Sequence, residues 1–189
     1  MNAQCDLLFV GDSITQMWES HGPKVWDQYY ADRNAFNIGY SGDQTQHVLW
    51  RLDQGEMADF KPKVAVLMIG TNNTAHQANW TARKVADGVQ AIIDRIHAMS
   101  PETRILLLAV FPRGATADHP LRRRNDQINA LLSEFDRQEK VRFLDIGPKF
   151  LDATGNLSRE VMPDLLHPHA AGYQIWAEAM EPTLQQMMK

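Results

Sequence analysis

Three side chains in this sequence of 189 residues have the types and spacing that acyl transfer requires. Ser13 follows an apolar run at once in LLFVGDSIT, while Asp164 and His167 stand three residues apart in DLLHP. A serine hydroxyl is a weak nucleophile and needs a base within hydrogen-bond reach. Histidine is the usual base near neutral pH, and it needs an acceptor that fixes its tautomer and stabilises the imidazolium. One compact turn suffices to present both Asp164 and His167. Read alone, Ser13 has three reasonable tasks: helix cap, phosphate cradle or nucleophile.

The tetrahedral intermediate of acyl transfer needs donors aimed at its oxygen. Candidates are the backbone N–H of Ser13, the N–H of Gly42 in NIGYSGDQT, and the side-chain amide of Asn72 in IGTNN. Ile14, Thr71 and Leu166 adjoin these positions. They are candidate walls of a small acyl pocket, with core packing as the competing reading. Trp18, Tyr40, Trp80 and Met162 are candidates for a leaving-group cleft, without a ranking among them.

Other polar residues read as scaffold. Asp12 is expected to shape its turn by bonding backbone N–H groups, and Asn73 to brace its loop. Arg51 is expected to pair with an internal carboxylate, and Asp43 has no assigned role. His47 is expected near the surface behind the site, and His21, His76, His97 and His119 at the surface. Asn125 and Asn129, one helical turn apart, either brace the loop of Ser13 or form an exposed face. The run Arg122–Arg124 reads as a solvated helix face.

These residues need a frame. Five apolar runs, Leu7–Val10, Ala35–Ile38, Val64–Ile69, Ile105–Phe111 and Val141–Ile146, read as strands, the third and fourth, apolar at nearly every position, as strands buried on both faces. Between them, Val85, Val89, Ile92, Ile96 and Met99 form one helical stripe that ends before Pro101. Leu121, Ile128, Leu131, Leu132 and Phe135 mark a second helix, and a shorter one fits 44–52. A last helix begins near His169 and is expected to bend or end at Pro182. The stretch 14–30 is helical in part, interrupted at Gly22-Pro23. Strands alternating with helices imply right-handed β-α-β units and a three-layer α/β/α sandwich around a five-stranded parallel sheet. In strand order 2-1-3-4-5, the loops after the first three strands converge on one crevice. The residues of DLLHP arrive on a longer loop whose path the topology does not define.

Composition narrows the function. The net charge of −4 lacks the basic balance of a nucleic-acid binder. The single cysteine, Cys5, forms no internal disulfide, no signal peptide is visible, and no apolar run is long enough to span a bilayer. A cytoplasmic location is the resulting expectation. G-x-S-x-G, Walker A and G-x-G-x-x-G motifs do not occur, which argues against an α/β-hydrolase elbow and against nucleotide binding. His167 and His169 lack further ligands at metal-site spacing, so no metal or other cofactor is expected.

The four blocks FVGDSIT, NIGYSGDQT, IGTNN and DLLHP, in order from residue 9 to 168, resemble the SGNH hydrolase superfamily, the GDSL esterases. GDQTQHVLWRL, KPKVAVLMIGTNN and HPLRRRNDQIN are similar to the catalytic subunits of intracellular platelet-activating-factor acetylhydrolase. The resemblance implies a flavodoxin-like single domain over 1–189. It implies Ser13 as nucleophile, His167 as base, Asp164 as its carboxylate, and Ser13, Gly42 and Asn72 as the oxyanion hole. It further implies metal-independent hydrolysis of short acyl esters, acetylated carbohydrates and aryl esters among them, and it permits homodimers. Ser41 departs from the glycine usual in that subgroup. A thioesterase or lysophospholipase is the alternative within the same chemistry, and a non-catalytic flavodoxin-like binding module the alternative outside it.

Overall fold

The computed structural model describes residues 4–76 and 79–189. Strands β1 (Leu7–Gly11), β2 (Ala35–Gly39), β3 (Val64–Met68), β4 (Arg104–Leu108) and β5 (Val141–Leu144) form one parallel sheet in the order β2-β1-β3-β4-β5. Register is in step from edge to centre, with Gly11 beside both Gly39 and Met68. The turns that follow these three strands therefore start at the same height.

Alternation along each strand explains why the runs are apolar throughout. Leu8, Val10, Ala65, Leu67, Ile105 and Leu107 face one core. Helices α4 (Thr45–Asp53), α6 (Ala82–Met99) and α7 (Pro120–Leu132) close it with Val48, Leu52, Val89, Ile93 and Ile128. Leu7, Phe9, Val64, Val66, Leu106 and Leu108 face the other core. Short helices α1 (Ser13–Gln16), α2 (Trp18–His21) and α3 (Pro23–Tyr29) cover that side, together with α8 (Ala170–Met187). Helix α5 (Thr71–His76) follows β3 directly. The inner strands β1, β3 and β4 thus bury both faces, the state that a doubly covered parallel sheet imposes, whereas the edge strands β2 and β5 leave Phe36 and Arg142 exposed.

Three sequence expectations are corrected. The fourth apolar run leaves the strand at Leu108, and Ala109–Phe111 continue as buried loop. Pro182 does not end the last helix; α8 runs on to Met187. An interior proline removes a helical hydrogen bond, but Met180 and Leu184 on either side are fully buried and hold the turn in place. The arginine run is a solvated face only at Arg123. Arg122 is buried, and Arg124 donates to Thr74 O at 2.6 Å and lies over the Trp80 ring.

Candidate active site

The turn from β1 to α1 presents the serine. A Cβ on Gly11 would come within 2.6 Å of Met68 O, so only glycine lets β1 and β3 approach here before the chain turns. Asp12 caps α1: its Oδ1 accepts from Ile14 N–H at 3.0 Å. That leaves the Ser13 hydroxyl free of capping duty. Ser13 Oγ instead lies 2.9 Å from His167 Nε2. His167 Nδ1 is 2.6 Å from Asp164 Oδ2. The three side chains named from the sequence form one continuous hydrogen-bonded chain.

The turn bearing His167 is held by its own aspartate. Asp164 Oδ1 accepts from Leu166 N–H (3.0 Å) and from His167 N–H (2.8 Å), while Oδ2 holds the ring. Leu165 between them takes φ of 61°, a left-handed conformation that costs a branched residue of order 1–3 kcal/mol. Its carbonyl accepts from Gly114 N–H at 2.9 Å. Partial burial works against ionisation of Asp164, but the donors from His167 and Leu166 outweigh it and keep the carboxyl below its ordinary range. An ionised acceptor beside Nδ1 places the proton on that nitrogen and leaves Nε2 free to accept from Ser13.

The candidate oxyanion donors lie on loops laced together. Asn72 Nδ2 donates to Asp43 O at 2.9 Å, which occupies one of its two amide hydrogens. Asn73 Oδ1 accepts from Thr45 N–H at 3.1 Å, so Asn73 braces its loop as expected. Ser41 N–H donates to Gln16 Oε1 at 2.9 Å, and Asn37 Nδ2 donates to Thr15 O at 3.0 Å. Gly42 sits at φ of 81° with no protein atom within 4 Å of where a Cβ would be. Conformation, rather than close approach within the protein, is what calls for glycine there. Neither Ser13 N–H nor Gly42 N–H has a partner among the described residues.

Arg51 pairs with an internal carboxylate as expected; that partner is Asp43, which has no role in the sequence reading, and the pair anchors this loop. Asp43 is buried and ion-paired to Arg51, which also reaches Glu56 at 3.2 Å and lies over the Tyr40 ring. His47 is half exposed and accepts from Gln44 N–H through Nδ1 at 3.2 Å. Of the four histidines expected at the surface, only His76 is exposed. His21, His97 and His119 are half-buried; His97 Nε2 meets Thr103 O, and the His21 ring lies tilted against that of His169. Ile14 and Thr71 are each only 1% exposed, whereas Leu166 is half-buried. Ile14 is thereby part of the core beside α8, where Tyr173 Oη donates to its carbonyl at 2.7 Å.

Asn125 and Asn129 brace neither the Ser13 loop nor an exposed face; they hold the chain leaving β4. Asn129 Nδ2 donates to Val110 O (2.9 Å) and its Oδ1 accepts from Val110 N–H (2.8 Å). Asn125 Nδ2 donates to Phe111 O at 3.0 Å. This loop, absent from the sequence reading of the site, borders it. Arg113 Nη1 donates to Thr71 Oγ1 at 3.1 Å. Asp12 is fully buried, and burial pushes its carboxyl up to about 7 against the Ile14 N–H and the charge of Arg113. Among the described residues no three His, Cys, Asp or Glu side chains converge as a metal site, and no helix is long and apolar enough to cross a membrane.

Residues 9–175 match the GDSL-like Lipase/Acylhydrolase family. The chain is 35% identical over 184 residues to platelet-activating factor acetylhydrolase IB subunit alpha1 of Rattus norvegicus, spanning 97% of this chain and 76% of that one. It is 36% identical over 185 residues to the alpha2 subunit of the same organism, spanning 97% and 78%. An acetylxylan esterase from Geobacillus stearothermophilus has the same fold, with a TM-score of 0.75 at 21% identity over 99% of this chain and 96% of that one.

Proposed function

The chain belongs to the GDSL-like lipase/acylhydrolase family, and from that premise we propose that it is a serine esterase removing short acyl groups, chiefly acetyl, from a sugar, alcohol or small lipid. The observation that carries this reading is the hydrogen-bonded chain from Ser13 Oγ through His167 to Asp164, at 2.9 and 2.6 Å.

In this reading Ser13 Oγ attacks the acyl carbonyl while His167 Nε2 takes its proton. The carbonyl oxygen becomes an oxyanion held by the N–H groups of Ser13 and Gly42 and the second amide hydrogen of Asn72. Asp164 stabilises the imidazolium without taking its proton. Collapse breaks the ester C–O bond, and Nε2 gives the proton to the departing alcohol. Water then attacks acyl-Ser13, His167 takes its proton, and collapse releases the carboxylic acid and restores the serine. The fold acts as one hydrolase domain, and no step calls for a metal or cofactor.

Acetyl selectivity in this reading comes from Ile14, Thr71 and Leu166. Two of them are nearly inaccessible and packed against fixed neighbours, which supports a shallow acyl site rather than a long groove. The names of the relatives, an acetylhydrolase and an acetylxylan esterase, favour the same short acyl group. Turnover of p-nitrophenyl acetate against p-nitrophenyl octanoate tests it. The acetate is expected to have the higher kcat/KM, and a clear preference for octanoate contradicts the small site.

A further inference from the structure

The loop after β4 carries a charge that the steps above leave unused. Arg113 is half-buried, with Nη1 3.1 Å from Thr71 Oγ1 and 3.4 Å from Thr71 O. Thr71 precedes Asn72, so the guanidinium is fastened to the loop that bears a candidate oxyanion donor. The Arg113 backbone is fastened as well. Arg122, from α7, donates to Arg113 O (3.2 Å), Gly114 O (2.5 Å) and Gly155 O (2.8 Å). On the other side, Gly114 N–H donates to Leu165 O within the turn of Asp164 and His167. The guanidinium is thus fastened to the Asn72 loop, on a backbone tied to the histidine turn.

Two carboxylates act on it, Asp12 before the serine and Asp164 behind the histidine. Arg113 closes no ion pair with either among the described residues. Its effect is that of a nearby charge held at a fixed place. We propose that Arg113 is a positioning residue for this ester hydrolysis: anchored on Thr71, its cation offsets the negative charge of Asp164, and of Asp12 once that carboxyl ionises, around the nucleophile and its base. The proposal rests on the serine-esterase reading above.

The physical need is specific. The reaction builds negative charge on the acyl oxygen; the Asp164 carboxylate opposes that charge, and Asp12 adds to the opposition once it ionises. A cation held nearby on Thr71 relieves the opposition without touching substrate. Asp12 has one oxygen, Oδ2, without a hydrogen bond, so the positive charge near it must come through space. The other groups facing this region are His167, which takes the proton; Arg122, whose charge is taken up by backbone carbonyls; and Tyr173 from α8, which burial keeps protonated. Loss of a cation raises the proton affinity of every neighbouring acid and base. Removing Arg113 must therefore shift the acid side of the pH profile upward.

Arg113→Gln and Arg113→Lys test this. Glutamine retains a donor for Thr71 without the charge; lysine retains the charge without the planar fork. Wild type, both variants and Ser13→Ala are assayed on p-nitrophenyl acetate for kcat, KM and the pH dependence of kcat/KM. For Arg113→Gln we expect kcat lower by about 10-fold or more, KM within about twofold, and the acid limb displaced to higher pH. For Arg113→Lys the limb is expected to stay near wild type. A glutamine variant with wild-type kcat and limb overturns the proposal, as does a change in KM alone. A lysine variant whose limb moves upward with the charge still present also overturns it, whether or not the glutamine variant folds. If wild type shows no hydrolysis that Ser13→Ala abolishes, the esterase reading fails and the proposal with it. Ser13-dependent hydrolysis with an unshifted glutamine variant defeats the proposal alone.

Discussion

Asn72 has two amide hydrogens, and one is already given to the carbonyl of Asp43. That bond aims the other and fixes the side chain before substrate arrives, which is the condition for strong stabilisation of an oxyanion. Asn72→Ala is expected to lower kcat by about 10²–10³-fold with little change in KM, measured on p-nitrophenyl acetate. An effect confined to KM would assign Asn72 to binding instead. Asp12 supports a different prediction, about stability. Its carboxyl holds a proton up to about pH 7 in the folded chain but only to its ordinary value of 3.8 when unfolded. Between those values the folded state binds more protons, so stability falls as pH rises, by roughly 3–5 kcal/mol in all. Asp12→Asn keeps the cap on Ile14 N–H and removes this loss. Melting temperatures at pH 5 and pH 8 should differ less in the variant than in wild type; an unchanged difference contradicts the assignment.

At the scale of elements, the site depends on segments with little regular structure. The strand ends and the turns after β1, β2 and β3 were legible in the sequence, because apolar runs stop abruptly at Gly11, Gly39 and Gly70. The loop after β4 was not, because its buried Ala109–Phe111 read as more strand. Arg122 was hidden for a related reason. In a run of three arginines nothing local distinguishes the one facing a cluster of carbonyls from the two beside it. Pro182 was misread because a local rule ignores what Met180 and Leu184 bury. Arg122 now defines a test. Arg122→Met would leave the carbonyls of Arg113, Gly114 and Gly155 without their donor, and should destabilise the protein by roughly 2–4 kcal/mol in urea unfolding. A loss below about 0.5 kcal/mol would mean that the loop is held by other contacts.

Across the whole molecule, strand order does most of the positioning. Placing β1 between β2 and β3 brings Ser13, Gly42 and Asn72 to one end of the sheet, and this followed from the alternation of strands and helices. The position of His167 did not follow from topology. Its turn is reached over a long irregular segment after β5, fixed by Asp164 Oδ1, by the left-handed Leu165 and by the bond from Gly114, none of which has a periodic signature. The Ser13–His167 contact joins residues 154 positions apart in sequence, so it is also where the account is most exposed to test. Labelling with a fluorophosphonate, followed by peptide mapping and an ester assay on the same sample, examines it most directly. The account predicts one phosphonate per chain, on the peptide bearing Ser13, with hydrolysis of p-nitrophenyl acetate lost in proportion. Labelling at another residue, or full hydrolysis remaining after Ser13 is modified, would contradict it.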